Sequence, residues 1–197
     1  MVVWWTRPQE VIKIDREQAL ALLREYCKEE VLIKHSVATE AVMQALAKRL
    51  GHDPDQWGVA GLLHDLDYDE TKEDPARHTL KTEEILRDKG IEEEIIEAIK
   101  AHNADALGIG REKPFHFAVT CAESITGLIV ATTLVYPDKK IASVKPSSIV
   151  KRMKEKGFAR KVRRDAIREC EKIGLSLEEF AELSLKAMQG ISDQLGL

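Results

Sequence analysis

A chain of 197 residues with 44% hydrophobic and 32% charged residues has the length and apolar content for one domain around a buried core. A formal charge of −4 argues against a general nucleic-acid coat protein, and an aromatic content of 5% weakens any reading based on base stacking. The cysteines, Cys27, Cys121 and Cys170, are odd in number, far apart and without a CxxC pair, so buried reduced thiols are expected rather than a zinc knuckle or a disulfide framework.

The opening segment MVVWWTRPQE lacks the basic start and long apolar run of a signal peptide. Asp15 is placed to cap a first helix that carries Leu20, Leu22, Leu23 and Tyr26. A second helix is predicted over about Val31–Leu50, from Val37, Ala38, Ala41, Val42, Ala45 and Leu46 at helical spacing, and Gly51 stops it. In DPDQW, Asp53 suits the N-cap, Pro54 the first helical position and Gln56 the return arm of a capping box. That short helix delivers His64-Asp65 at its end. Residues 67–74 (DYDETKED) read as an acidic, solvated loop. Helices are predicted near Pro75–Lys89, stopped by Gly90, and over Glu92–His102. The segment NADALGIGREKP reads as an exposed loop, followed by a long helix over Phe115–Val135 that Tyr136-Pro137 ends. Its apolar-leaning stretch Ile125–Val135 is too short to span a bilayer, so a cytoplasmic setting without a membrane partner is expected. Residues 139–172 then hold thirteen Lys or Arg against one Asp and three Glu. This run could bind nucleic acid or supply contacts to phosphate, but its interspersed acids favour a solvated face paired with the acidic first half. Ser176 and Glu179 form a capping box for a last helix reaching about Gln194. The fold expectation is all-α: a single-domain helical bundle over 1–197, with a core over 31–135 and a helical extension over 139–197.

Six residues carry the chemistry: His35, His64, Asp65, His78, His102 and Glu123. His35 shares a helical stripe with Ala38, Val42 and Ala45. His102 follows Ile95, Ala98 and Ile99, and Glu123 lies with Val119, Thr120, Gly127 and Val130. An inward imidazole or carboxylate costs roughly 1–3 kcal/mol unless something pairs with it. Two pairings satisfy the stripes. Each histidine can bond a backbone carbonyl on its own, or helices side by side can bring the set to a shared divalent metal, as helical bundles do. His116 lies seven residues before Glu123, roughly 10 Å along the helix axis, and suits a helix-end role. His52, in the Gly51–Asp53 turn, reads as solvated.

The order and helical context of these residues resemble the HD-domain metal-dependent phosphohydrolases. His35 (IKHSVATE) matches that family's first histidine, and His64-Asp65 (GLLHDLD) matches its doublet. Glu123 (CAESITGL) falls where the family has its final Asp. His78 (DPARHT) and His102 (IKAHNAD) match the extra histidines of subfamilies that hold a second metal. The resemblance covers about residues 33–130, and KPSSIVKRMKEKGFARKVRR is similar to the C-terminal extension of a bacterial subgroup. It implies one or two divalent ions (Mn, Fe, Mg, Ni or Zn). Asp65 would bridge them, with His35, His64 and Glu123 completing one position and His78 and His102 the other; Asp65 and His64 are the catalytic pair. The activity implied is hydrolysis of a small phosphate ester by metal-activated hydroxide attack on phosphorus, the substrate being a nucleotide or dinucleoside polyphosphate. The alternative is a non-catalytic HD module with a structural metal or a signalling role. A homo-oligomer fits either, and no GxxxxGK[ST] or GxGxxG phosphate loop is present. Two departures stand out: Glu at the last ligand position, and Asp67 where many members carry Gly or a nearby Lys.

Overall fold

The computed structural model describes residues 13–197. Among them the chain forms helices and connecting turns without a strand. In chain order these are α1 (Arg16–Tyr26), α2 (Glu30–Leu50), α3 (Pro54–Leu63), α4 (Tyr68–Thr71), α5 (Leu80–Asp88), α6 (Glu93–His102), α7 (Ala104–Leu107), α8 (Pro114–Leu134), α9 (Pro146–Met153), α10 (Arg164–Arg168), α11 (Leu177–Gln189) and α12 (Ser192–Leu195). Two 3-10 segments, Ile141–Ser143 and Glu169–Ile173, connect the later helices.

Local chemistry accounts for the helix ends. Asp15 and Gln18 make a reciprocal capping box at α1, and Gly51 closes α2 in the left-handed region at φ 78°. At α3, Asp53 accepts from the backbone N–H groups of Asp55 and Gln56, but the Gln56 side chain reaches Glu92 at 2.7 Å instead of returning to the cap. The helix expected near Pro75 starts at Leu80, because Thr79 sits at φ 73° and breaks the helical path just after His78. Asn103 holds this turn by donating to the carbonyls of Pro75 (2.8 Å) and His78 (2.9 Å). Two expected loops contain short helices, α4 and α7, and the last helix is interrupted after Gln189. The signal-peptide reading of the first ten residues lies outside the described residues.

α8 is the central element. α2, α6, α10 and α11 pack on it, and α3 lies mainly against α2. By length and composition the whole of α8 could cross a membrane, which Ile125–Val135 alone could not; most of its apolar window is buried inside the protein. α2 and α3 meet at very close range: a Cβ on Gly61 would lie 3.0 Å from the backbone of Thr39 and Glu40, so only glycine fits. The extension packs into the same hydrophobic cluster, which runs from Ala19 and Leu22 of α1 to Leu195 of α12. All three cysteines are buried free thiols.

Candidate metal centre

The ends of α3 and α6 use the same device. His64 caps α3 and directs Nδ1 to the Gly61 carbonyl at 2.8 Å; His102 ends α6 and directs Nδ1 to the Ile99 carbonyl at 2.6 Å. Each ring folds back three residues, which commits Nδ1 and turns Nε2 inward. His35, in the second turn of α2, has Nδ1 3.1 Å from Thr126 Oγ1 on α8. The Thr126 hydroxyl spends its one proton on the Glu123 carbonyl at 2.7 Å, so its oxygen accepts from His35. His78, in the turn before α5, has Nδ1 2.7 Å from Asp67 Oδ1. Tautomers assigned from these partners place a proton on every Nδ1 and turn every Nε2 inward, where it takes a metal ion or a second proton.

The four inward nitrogens converge on Asp65. Its Oδ2 lies 3.3 Å from His64 Nε2 and 3.7 Å from His35 Nε2. Its Oδ1 lies 3.2 Å from His78 Nε2 and 3.6 Å from His102 Nε2. The imidazole nitrogens also face each other, at 3.2 Å for His35 and His64 and at 3.0 Å for His78 and His102. Lone pairs at these separations around a buried carboxylate repel unless positive charge sits between them. Two groups therefore have the composition and spacing for a divalent ion: His35, His64 and Asp65, and Asp65, His78 and His102.

Electrostatics agree with that arrangement. Burial opposes charge on Asp65, yet the His64 charge and hydrogen bonds from His102, His64 and His78 hold its carboxyl well below the usual range. Burial, reinforced by His64, lowers the pKa of His35; burial also lowers that of His102. For His64, burial is outweighed by the charge of Asp65 and the pKa rises. For His78, burial is outweighed by hydrogen bonds to Asp65 and Asp67, and the pKa is pushed up to about 9. The cluster attracts positive charge, as protons or as metal ions.

Five of the six residues singled out in the sequence meet here. The sixth does not join the ligand groups. Glu123 Oε1 accepts from Arg163 Nη2 at 2.8 Å and from the Ser124 hydroxyl at 2.5 Å, and the residue lines the same cavity outside the two ligand groups. Asp67 is the opposite case. Expected as part of a solvated turn, it is buried with its side chain fully covered. Besides holding His78 it accepts from the backbone N–H of Thr82 at 3.1 Å and from the Thr71 hydroxyl at 3.2 Å. A ligand histidine needs an acceptor on its second nitrogen, and that requirement was the signal that could have found Asp67. His52 is exposed and stacks on Trp57, and His116 accepts from the Glu112 N–H at the start of α8.

A cavity of about 710 Å³ opens over this centre, lined in part by His35, Asp65, Tyr68, His78, His102 and Glu123. Lys161, Val162 and Arg163 of the extension also line it. Arg163 closes the distance by donating to the His102 carbonyl at 2.9 Å while it pairs with Glu123. Part of the basic run is structural: Arg164 donates to the Glu155 carbonyl, Arg152 lies over the Phe158 ring, and Lys172 lies over Phe117. The family model described as HD domain matches residues 32–128, the stretch that carries all five converging ligands. The chain belongs to the HD-domain family, whose members are in general metal-dependent phosphohydrolases.

Proposed function

We propose that this protein hydrolyses a small phosphate ester at divalent ions held by His35, His64, Asp65, His78 and His102, inside the cell. The observation that carries the reading is the single carboxylate of Asp65 facing two imidazole Nε2 atoms with each oxygen, beside an open cavity. Divalent ions at such a site lower the pKa of bound water and offset charge on a phosphoryl oxygen. The protein's own part is orientation. Gly61, Ile99, Thr126 and Asp67 fix the four rings so that no ring need turn as substrate arrives. Lys34, Lys161 and Arg163 add positive charge around the cavity for the phosphate. His35, with its side chain 25% exposed, is the ligand nearest to solvent and marks the approach side.

Replacing Asp65 with Ala tests this reading. Metal content and turnover of phosphorylated metabolites should both be lost; turnover that survives in that variant rules the reading out. The engagement of Glu123 by Arg163 favours one second reading, a module that holds metal for structure or for protein contacts. Wild-type protein that binds metal yet leaves a broad panel of phosphate esters untouched would establish that alternative.

A further inference from the structure

Beyond the metal ligands, the cavity has an aliphatic wall built from separate parts of the chain. Leu32 of α2, Val130 and Leu134 of α8, Val162 of the extension, and Leu195 and Leu197 at α12 and just after it all face the same space. Two further observations bear on what occupies it. First, the amide and hydroxyl groups of Asn103, Ser124 and Thr126 near the wall are already engaged. Asn103 spends both amide protons on the carbonyls of Pro75 and His78, Ser124 donates to Glu123, and Thr126 serves His35 and the Glu123 carbonyl. A nucleobase laid against this wall would leave its hydrogen-bonding edge without partners, a cost of about 1–3 kcal/mol for each buried group. The aromatic ring on the cavity, Tyr68, stands edge-on to His78 and belongs to the centre, not to the wall. Second, the apolar surface continues outward. Val31 is 75% exposed and Leu134 51% exposed, both on the cavity lining. Among the described residues Lys34 and Lys161, also on the lining, make no ion pair. Cations and a metal site on the same cavity as an aliphatic wall complement an amphiphilic anion.

We propose that the substrate's organic group is aliphatic: a free, single-chain alkyl phosphate whose phosphate lies at Asp65 and whose chain lies along Leu32, Val130, Leu134, Val162, Leu195 and Leu197. This names the substrate class of the phosphohydrolase reading and rests on it. It also departs from the nucleotide that the family resemblance implied, because the wall offers dispersion and burial but few unspent donors.

The test is calorimetric binding of n-alkylphosphonates, from ethyl to decyl, to the manganese-loaded protein below their micellar concentrations. Phosphonates are not hydrolysed, so binding is read independently of turnover. Affinity should rise roughly threefold to fourfold for each added methylene until the wall is covered, with one ligand per chain. Octylphosphonate should bind more tightly than an adenosine phosphonate. Ala131→Trp, which fills the cavity, should shorten the chain length at which affinity levels off. Leu134→Ser, at an exposed position that folding tolerates, should weaken only the longer chains. A flat series, or tighter binding of the adenosine compound, overturns the proposal. So does Leu134→Ser if it changes the oligomeric state and leaves octylphosphonate affinity as it was, since the apolar mouth is then a self-association surface. Failure to hydrolyse any phosphate ester would defeat the phosphohydrolase reading alone, because the phosphonate series still decides the chemistry of the wall.

Discussion

Asp65 presents Oδ2 to His35 and His64 and Oδ1 to His78 and His102, and the two sides differ one bond further out. Behind His78 stands a buried carboxylate, Asp67; behind His35 stands a neutral hydroxyl, Thr126, on another helix. His102 and His64 are matched, each braced by the carbonyl three residues earlier. The Oδ1 side therefore carries one more negative charge, while the Oδ2 side joins the most exposed of the four rings, His35 at 25%, to the most covered, His64 at 1%. A carboxylate behind a ligand imidazole makes the ring a better electron donor. A divalent ion would therefore be held more tightly at the Oδ1 position, where a carboxylate braces His78, than at the Oδ2 position, where a neutral hydroxyl braces His35.

The largest effect should come from removing what both sides share. Asp65→Ala should eliminate metal uptake at both positions, measured by equilibrium dialysis; loss at one position only would mean that the carboxylate does not bridge. Asp67→Asn keeps the shape and removes the charge behind His78. One phase of a metal titration should then weaken by about 10- to 100-fold, with the other unmoved. Thr126→Val removes the acceptor of His35, a neutral partner, and should weaken the other phase by roughly 10-fold or less. If both variants shift the same phase, the two sides are not separate positions.

A smaller effect concerns protons. His78, with its pKa pushed up to about 9, carries a proton in metal-free protein at neutral pH, and an incoming ion must displace it. Affinity at the Oδ1 side should therefore rise with pH by at most about tenfold per unit and level off above about 9. Asp67→Asn should move that plateau to lower pH, because a partner that raises the His78 pKa is gone. Affinity that falls as pH rises from 6 to 9 contradicts the assignment. The smallest expected effect is at Cys27, whose thiol donates to the carbonyls of Asp65 and Leu66 at 3.6 Å from behind the doublet. Burial, with Asp69 and Asp65 nearby, pushes its pKa up to about 12. Iodoacetamide at pH 8 should leave Cys27 unmodified with or without metal; rapid labelling would add a thiolate to a site described here with imidazoles and carboxylate alone.

What the sequence disclosed follows from the range of each signal. His35 and His102 were legible because three apolar neighbours on each stripe fix which face is inward, and His64-Asp65 because Pro54 and Asp53 fix where α3 begins. The inward stripe of Glu123 was legible in the same way, yet its partner lies forty residues away, and nothing local marks Arg163 among thirteen basic residues. Asp67 was hidden by its neighbours. In DYDETKED no periodicity separates the acid that turns inward from those that stay wet, and the choice is made by His78 arriving from beyond the turn at Thr79. The aliphatic wall was equally illegible, since its side chains come from α2, α8, the extension and α12 and meet only after the extension packs back on the bundle.

The central claim is that one carboxylate organises two cation positions, each completed by two imidazole Nε2 atoms. Anomalous diffraction from crystals soaked in manganese tests it most directly. The account expects one peak bounded by Asp65 Oδ2, His35 and His64, and another bounded by Asp65 Oδ1, His78 and His102. Peaks that lie at Glu123 and away from the imidazoles, or no peak beside Asp65 at saturating manganese, would contradict it.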